Sequence, residues 1–567
     1  MKVSKAKGQG SVRSDVEQSW HAIDWRRVER NVRGMQTRIA KATQDGNWRR
    51  VKALQRMLSR SFCGKALSVR RVTENQGART AGVDRELWNT PETKLEAINQ
   101  MKRRGYKPRP LRRVYIPKPN GKRRPLGIPT MLDRAMQALY LLGLEPVAEV
   151  QGDRNSYGFR RNRSTHDAMS QLFICFARKG AAPYVLEADI AGCFDAINHD
   201  WLLDNVPMDK VVLRKWLRAG VVEKGQMMAT TAGTPQGGII SPTLANVALN
   251  GLEPELAKHL DAKLGKARAK KQKVNTVRYA DDFVITGDSV GFLENEVKPW
   301  VEGFLAKRGL QLSMEKTRIV SIDDGFDFLG WNFRRYGAKF LIKPSKPNVK
   351  AFYRKVKEVI SANKTAKQED LISLLNPILR GWANYHRPVV AKATFNRLDS
   401  LIFRAILSWS YRRHRNKNAG WVRKRYFHSE GNRNWVFSTT VVKDNGRQAN
   451  VALIRLADTP IRRHKKVKGS FNPFDPADEM YGEKLQQERM LEDMRHRKQW
   501  MSLYRSQHGL CAHCGGRITR ETGWHDHHIQ RKVDGGSNRL GNRVLLHPVC
   551  HAKVHSRGII VVKPGCT

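Results

Sequence analysis

Several things are scarce in this chain of 567 residues, and each scarcity excludes something. Acid comes first: 52 Asp and Glu face 104 Lys and Arg, for a net charge of +52. Such a charge repels itself unless a polyanion offsets it, so nucleic acid is the expected partner. Cysteine comes second: seven in the whole chain exclude a disulfide framework. Four of them (Cys511, Cys514, Cys550 and Cys566) fall near the C-terminus, which points to a metal site there. Third, no apolar run approaches the roughly 18 residues of a membrane-spanning helix. An amphipathic anchor and a lipidation signal are also lacking, and the start, MKVSKAKGQGSVRSD, has no apolar signal-peptide core. No membrane partner is expected. The expectation is a soluble, cytoplasmic protein associated with nucleic acid. Internal repeats and long low-complexity tracts are missing too.

What is there suits a folded protein of several domains. Hydrophobic residues make up 40% and aromatics 8%, which excludes compositional disorder. At roughly 150 residues each, three to four domains are predicted. Residues 1–70 read as a basic helical N-terminal extension. Trp20, Ile23, Val28 and Val32 recur at near-helical spacing, as do Val51, Leu54, Met57 and Leu58. Residues 71–340 mix short strands with helices. Stretches 114–117 and 126–128 flank Asn120-Gly121, a hairpin-turn signal. Stretch 184–189 reads as a buried strand ending in an acid. Stretches 277–279 and 283–285 read as strands with Asp281-Asp282 at the turn between them. Residues 345–460 read as mainly helical and basic, with Pro377 kinking or starting a helix. Residues 461–504 read as a basic DNA-binding region and linker, and residues 505–567 as a Cys- and His-bearing unit.

The positive charge is patterned. Eleven Lys or Arg fall between Lys102 and Arg124, and seven between Arg412 and Arg425, with no acid in either run. Tyr106, Tyr115, Tyr411 and Trp421 lie within or beside them. Cations interleaved with rings suit a surface that tracks phosphates and stacks bases.

Two constellations carry chemistry. In Arg278-Tyr279-Ala280-Asp281-Asp282-Phe283-Val284 two adjacent acids sit inside an apolar stretch. Buried carboxylates repel and hold protons unless a cation compensates, and Mg²⁺ prefers carboxylate oxygens. Asp189 is the best candidate for a third acid. Two metals about 4 Å apart can activate a 3′-hydroxyl and stabilise a leaving pyrophosphate. In the tail, Cys511-x₂-Cys514 and His547-x₂-Cys550 are chelating pairs that suit tetrahedral, structural Zn²⁺. A second set is His527-His528, Asn542 and His551-x₃-His555, where the last two histidines share a helix face.

Taken in order, the segments resemble the reverse transcriptases encoded by group II introns. The matching segments are Tyr115-Ile116-Pro117-Lys118 with Arg124-Pro125-Leu126-Gly127, then Gly158-Phe159-Arg160 to His166-Asp167-Ala168. Next come Asp189-Ile190 to Phe194-Asp195, Gly233-Thr234-Pro235-Gln236-Gly237-Gly238, and Tyr279-Ala280-Asp281-Asp282. Gly309-Leu310 to Lys316-Thr317 and Phe328-Leu329-Gly330 complete the series. The resemblance implies an α+β multidomain fold with right-hand fingers and palm over 71–340. It implies a helical thumb, or maturase, domain over 345–460, where Arg380-Gly381-Trp382 to His386 carries the likeness. It also implies site roles. Asp189, Asp281 and the Ile190 carbonyl would hold Mg²⁺, with Asp282 in support. Lys118 and Arg124 would grip a dNTP triphosphate, Phe194 would exclude a 2′-hydroxyl, and Gln236 and Gly237 would line the nucleotide pocket. Asp195 reads as structural.

The tail resembles the HNH nucleases, a small ββα-metal zinc fold. By that likeness His528 is the general base and Asn542 orients it or its loop. His527, His551 and His555 would hold a divalent metal such as Mg²⁺. His547 stands where many relatives have cysteine. The family implies three activities: RNA-directed DNA polymerase, maturase for intron RNA, and DNA endonuclease in target-primed reverse transcription. The implied partners are group II intron RNA, double-stranded target DNA and dNTPs, with the oligomeric state open. Alternatives are a splicing-only maturase, a non-mobile retron-like reverse transcriptase and, for the tail, a plain zinc finger.

Overall fold

The computed structural model describes residues 20–563 except 118–120, 122, 235–236, 432, 443–447, 495–497, 532–533 and 538. Lys118, Gln236 and Cys566 lie outside the described residues. The first helices are Trp25–Gln44, Trp48–Arg60 and Phe62–Thr73. Asp24, Asn47 and Ser61 cap them, each side chain accepting a backbone N–H of the first turn. Val28, Val32, Val51, Leu54 and Leu58 are buried as their spacing predicts, whereas Met57 is exposed.

Strands follow in chain order. β1 (Leu111–Pro117) and β2 (Arg123–Ile128) form the expected hairpin. β3 is Tyr184–Asp189. β4 (Val221–Glu223) and β5 (Gln226–Met228) form a second hairpin, and β4 pairs parallel with β1. β6 (Thr276–Tyr279), β7 (Asp282–Gly287) and β8 (Arg318–Ser321) join β3 in a four-stranded antiparallel sheet of order β6-β7-β3-β8.

That sheet organises the molecule because its side chains alternate between two cores. Leu186, Ala188, Phe283 and Ile285 join the core that holds the helix Met131–Val150. Val185, Val277 and Val284 join the other, which holds the helix Thr165–Phe176 and the helices after 345. Burial on both faces explains why these strands read as nearly continuous apolar runs.

Strands β9 (Phe326–Phe328), β10 (Trp331–Tyr336) and β11 (Lys339–Pro344) form a small sheet leading to the helices Lys346–Ala362, Gln368–His386 and Lys392–Arg413. Pro377 lies inside the second of these helices. The expectation of a mainly helical 345–460 holds only to Tyr426. Beyond it, β12 (Phe427–Glu430), β13 (Arg433–Val442) and β14 (Gln448–Ala452) form a three-stranded antiparallel sheet. Val436, Phe437 and Ser438 are buried in succession in the middle of β13, while its ends are half-buried or exposed.

Region 461–494 is no free linker. It folds back onto the turn before the helix Thr165–Phe176. The buried Asp167 carboxylate meets His464 Nε2 at 2.8 Å, the Val467 N–H at 2.9 Å and Arg489 Nη2 at 3.1 Å. The last unit has β15 (His525–His528) paired antiparallel with β16 (Arg543–Leu546), then the helix Pro548–Arg557.

Candidate active sites

The first site is built at the end of the central sheet. β3 and β7 run antiparallel in a register that sets Asp189 directly opposite Asp282. β6 and β7 are joined by Ala280 and Asp281, so the turn is one residue earlier than the sequence suggests. Asp281 lies in the turn and Asp282 opens the strand. Ala280 adopts a left-handed φ of 58°, which the tight connection requires. The backbone of Asp189 is fixed from the other side, since its carbonyl accepts the Ser313 N–H at 2.8 Å. Ile190 is buried and bridges to Leu312.

The electrostatics are those of crowded carboxylates. Burial, a hydrogen bond shared with Asp189 and the nearby Asp281 push Asp282 up to about 7. Asp281 is also raised, first by burial and then by Asp189, while Arg124 and Lys316 pull it down. Lys316 is the cation that sequence reasoning quoted without a role. Its Nζ donates to Asp189 Oδ2 at 2.7 Å, and the acid cluster raises its pKa. Hard carboxylate oxygens that compete for protons, half-buried at Asp189 and Asp281 and exposed at Asp282, are the donor set that suits Mg²⁺.

Three of the predicted pocket residues, Arg124, Phe194 and Gly237, are among the described residues. Arg124 sits on β2 close enough to act on Asp281. Phe194 lies on the short helix Cys193–Ala196, and its carbonyl accepts the Thr234 N–H at 2.6 Å. A Cβ on Gly233 would meet the Phe194 and Asp195 carbonyls at 2.6 Å, so this loop packs directly on that helix. Gly237, at φ 111°, approaches the Gly127 carbonyl on the β2 side.

Two further sites lie in the C-terminal unit. The ligand atoms of Cys511, Cys514, His547 and Cys550 all fall within 4.8 Å of one another. His547 Nδ1 faces Cys514 Sγ at 3.3 Å, while Nε2 lies 2.9 Å from the Arg517 carbonyl, which fixes the ring. Burial opposes charge on His547, yet Cys511 and Cys514 push it up to about 10. Three thiols and an imidazole in contact, with an outer partner on the imidazole, fit a closed tetrahedral zinc site.

His527, His551 and His555 form the second group, again within 4.8 Å. His527 is on β15, and the other two are one turn apart on the final helix. His528 follows His527 as the last residue of β15 and pairs with Arg543 across the two strands. Asn542 holds the loop: its Oδ1 accepts the Gln530 N–H at 2.8 Å, and its Nδ2 donates to the Gln530 and Ser537 carbonyls. Asp526, which sequence reasoning passed over, accepts from Trp500 Nε1 at 2.8 Å and pairs with Arg543.

Comparison with known proteins agrees with this geometry. Residues 116–333 match the family "Reverse transcriptase (RNA-dependent DNA polymerase)", and residues 20–101 the "N-terminal domain of reverse transcriptase". Residues 349–427 match "Group II intron, maturase-specific domain", and residues 511–557 match "HNH endonuclease". Protein YkfC of Escherichia coli is 35% identical over 48% of this chain and 81% of its own. Group II intron-encoded protein LtrA of Lactococcus lactis is 32% identical over 46% of this chain and 53% of its own. Maturase-like protein 1 of Euglena gracilis is 25% identical over 64% of this chain and 76% of its own. The chain thus spans most of YkfC and about half of LtrA. With acids, pocket loop and histidine cluster all placed within these matched regions, the chain belongs to the group II intron-encoded proteins, joining a reverse transcriptase to a maturase domain and an HNH endonuclease domain.

Proposed function

We propose that the chain carries out target-primed reverse transcription with the site residues assigned above. The observation that carries this reading is the register of β3 and β7, which brings Asp189 and Asp282 together beside Asp281. In this reading Asp189, Asp281 and the Ile190 carbonyl hold Mg²⁺, and Asp282 shares its charge with the same cluster. Mg²⁺ held there would supply the positive charge that favours a deprotonated primer 3′-hydroxyl and a leaving pyrophosphate. Arg124, with Lys118, grips the triphosphate, because cations pair strongly with phosphate oxygens. Phe194 fills the space that a ribose 2′-hydroxyl would need. Gly237, with Gln236, lines the nucleotide pocket.

The other units follow from the same reading. Residues 71–340 act as fingers and palm, and 345–460 as the thumb and maturase domain. Residues 1–70 contact intron RNA. A cleft of about 1170 Å³ beside the helix Trp48–Arg60 supports this. Lys52, Arg56, Arg60, Lys65 and Lys102 line it, facing two acids, Asp204 and Asp209. Those acids pair with Lys210 and Arg103, which leaves the remaining cations for phosphate. In the ββα unit, His527, His551 and His555 hold a divalent ion. His528 takes the proton from the attacking water, and Asn542 shapes the loop beside it. Cys511, Cys514, His547 and Cys550 hold structural zinc.

Primer extension tests the polymerase assignment. Asp281→Ala is expected to lower incorporation by at least 10³-fold, on the order of the effect of removing a group that acts only in the transition state. Incorporation equal to the parent's would overturn it. Nicking of duplex DNA tests the second centre separately. His528→Ala should lose on the order of 10²–10⁴-fold in rate while polymerisation persists. Undiminished nicking would remove His528 from its role.

A further inference from the structure

One aromatic residue in the polymerase site is held in a conformation that its chemistry does not favour. Phe159 has a left-handed φ of 56°. A side chain with a Cβ rarely adopts that region, and where a bulky residue does, the surrounding structure must hold it there. The ring gains little burial in return, since Phe159 is 53% exposed. Instead it stands edge-on to Phe194, with centroids 6.2 Å apart and planes at 79°. That is a favourable aromatic geometry.

The backbone beneath this ring is clamped to the catalytic turn. A Cβ on Gly158 would come 3.0 Å from the Ala280 Cα and closer still to the Ala280 amide nitrogen. The Gly158 carbonyl accepts Asn246 Nδ2 at 2.9 Å, and the Tyr157 N–H donates to the Arg278 carbonyl at 2.9 Å. The buried Arg278 donates to the same Asn246 at 3.2 Å and to the Ala280 carbonyl at 3.3 Å. One arginine and one asparagine therefore lock the Phe159 loop and the Asp281 turn into a single piece. Phe194, by contrast, is only partly buried and sits on a helix of four residues. Its backbone is pinned by Thr234, but its exposed edge is met by Phe159.

We propose that Phe159 is a positioning residue for nucleotide sugar selection: it holds the Phe194 ring at a fixed distance from the acids, so that the ring rejects a 2′-hydroxyl. This rests on the reading of Phe194 as the sugar gate. The physical need is clear. A gate discriminates by sub-ångström overlap, and a ring free to tilt gives way to the extra oxygen. The strain at Phe159 places a ring where an unstrained backbone would not.

The test is single-nucleotide incorporation by the full-length protein on an RNA template with a DNA primer, supplying dATP or ATP. The variants are Phe159→Ala, Phe159→Gly, Phe159→Leu and, as the control for the gate itself, Phe194→Val. Phe159→Ala should raise the efficiency of ATP relative to dATP by roughly tenfold, mainly through the KM of ATP. Phe159→Leu, which keeps bulk, should restore at least half of the discrimination on a logarithmic scale. Phe159→Gly relieves the left-handed strain, so it should melt no lower than Phe159→Ala and still lose discrimination. A ratio unchanged in the Ala and Gly variants, with Phe194→Val relaxed, overturns the role of Phe159 and leaves the gate standing. A fall in kcat shared equally by both nucleotides also overturns it. A ratio unchanged in Phe194→Val removes the gate, and the proposal with it.

Discussion

Asp167 shows how much one side chain can hold. It is fully buried, and the Ser164 N–H and hydroxyl both donate to its Oδ2 at 2.8 Å, which starts the helix Thr165–Phe176. Burial alone would favour a protonated carboxyl. His464, Arg489 and the Val467 N–H outweigh it and hold the group down to about 2. Asp167→Asn keeps the shape and removes the charge, which leaves Arg489 without its buried partner. A loss of about 3–5 kcal/mol is expected, as for other broken buried ion pairs. Chemical denaturation of the variant against the parent measures it. Asp282 is the opposite case, an acid raised first by loss of solvation and then by the neighbouring Asp189 and Asp281. Both were visible in the sequence as acids within motifs. Only their partners, hundreds of residues away for Asp167, separate a structural pin from a metal-cluster acid.

At the scale of elements, the central strands were legible because their residues are apolar on both faces and end in acids. The pairing of β1 with β2 was legible from the turn signal in the sequence between them. The sheet β12-β13-β14 was not, because basic and aromatic residues there suit a helix face as well as an exposed sheet. The turn between β6 and β7 was misplaced by one residue. The left-handed Ala280, which sequence pattern does not reveal, sets it. The stretch 155–158 adds to this element, for Ser156 bridges Arg278 in parallel. Its close approach at Gly158 gives a prediction. Gly158→Ala must push the loop or the catalytic turn aside, and a shift of about 1 Å at reacting groups costs on the order of 10²-fold in rate. Primer extension should fall by that factor, while nicking of duplex DNA is unaffected.

The whole molecule is tied together at one buried junction. His166 packs against Trp331, Tyr385 and His464, with ring centroids 5.0–5.4 Å apart. Its Nε2 lies 2.8 Å from the Tyr385 carbonyl. His386 Nε2 lies 3.0 Å from Asn348 Oδ1. These side chains come from the central region, from the helices after 345 and from the returning segment near 464. Burial pushes His166 down to about 4 and His386 down to about 3. A histidine depressed on folding is charged more readily in the unfolded chain. Its contribution is therefore complete above about pH 6.5 and is lost as pH falls toward 4 and then 3. Asp167 extends the loss, since its contribution falls between about pH 4 and 2. These three groups should impose a decline in melting temperature below pH 6.5, opposed between about pH 7 and 4 by Asp282, whose raised carboxyl favours the fold more as pH falls. His166→Phe should flatten the upper part of that decline. An unchanged slope between pH 6.5 and 4 in this variant would exclude the junction as its source.

The C-terminal unit is likewise bound into the whole. Val549 on its last helix joins the core that contains Trp20 and Trp25, and Glu521 lies 3.7 Å from Arg161. Sequence alone determined what chemistry was available: which acids could pair, which cysteines and histidines were spaced to chelate, and a charge that calls for nucleic acid. Such properties depend on residue type and on spacing along a few residues, and these are local. Tertiary structure decided which groups meet. It set Lys316 on Asp189, turned Asn542 to its loop, folded the 461–494 segment onto Asp167 and stood Phe159 against Phe194. Those meetings arise from register, from burial and from contacts between distant parts of the chain, which no short window of sequence contains.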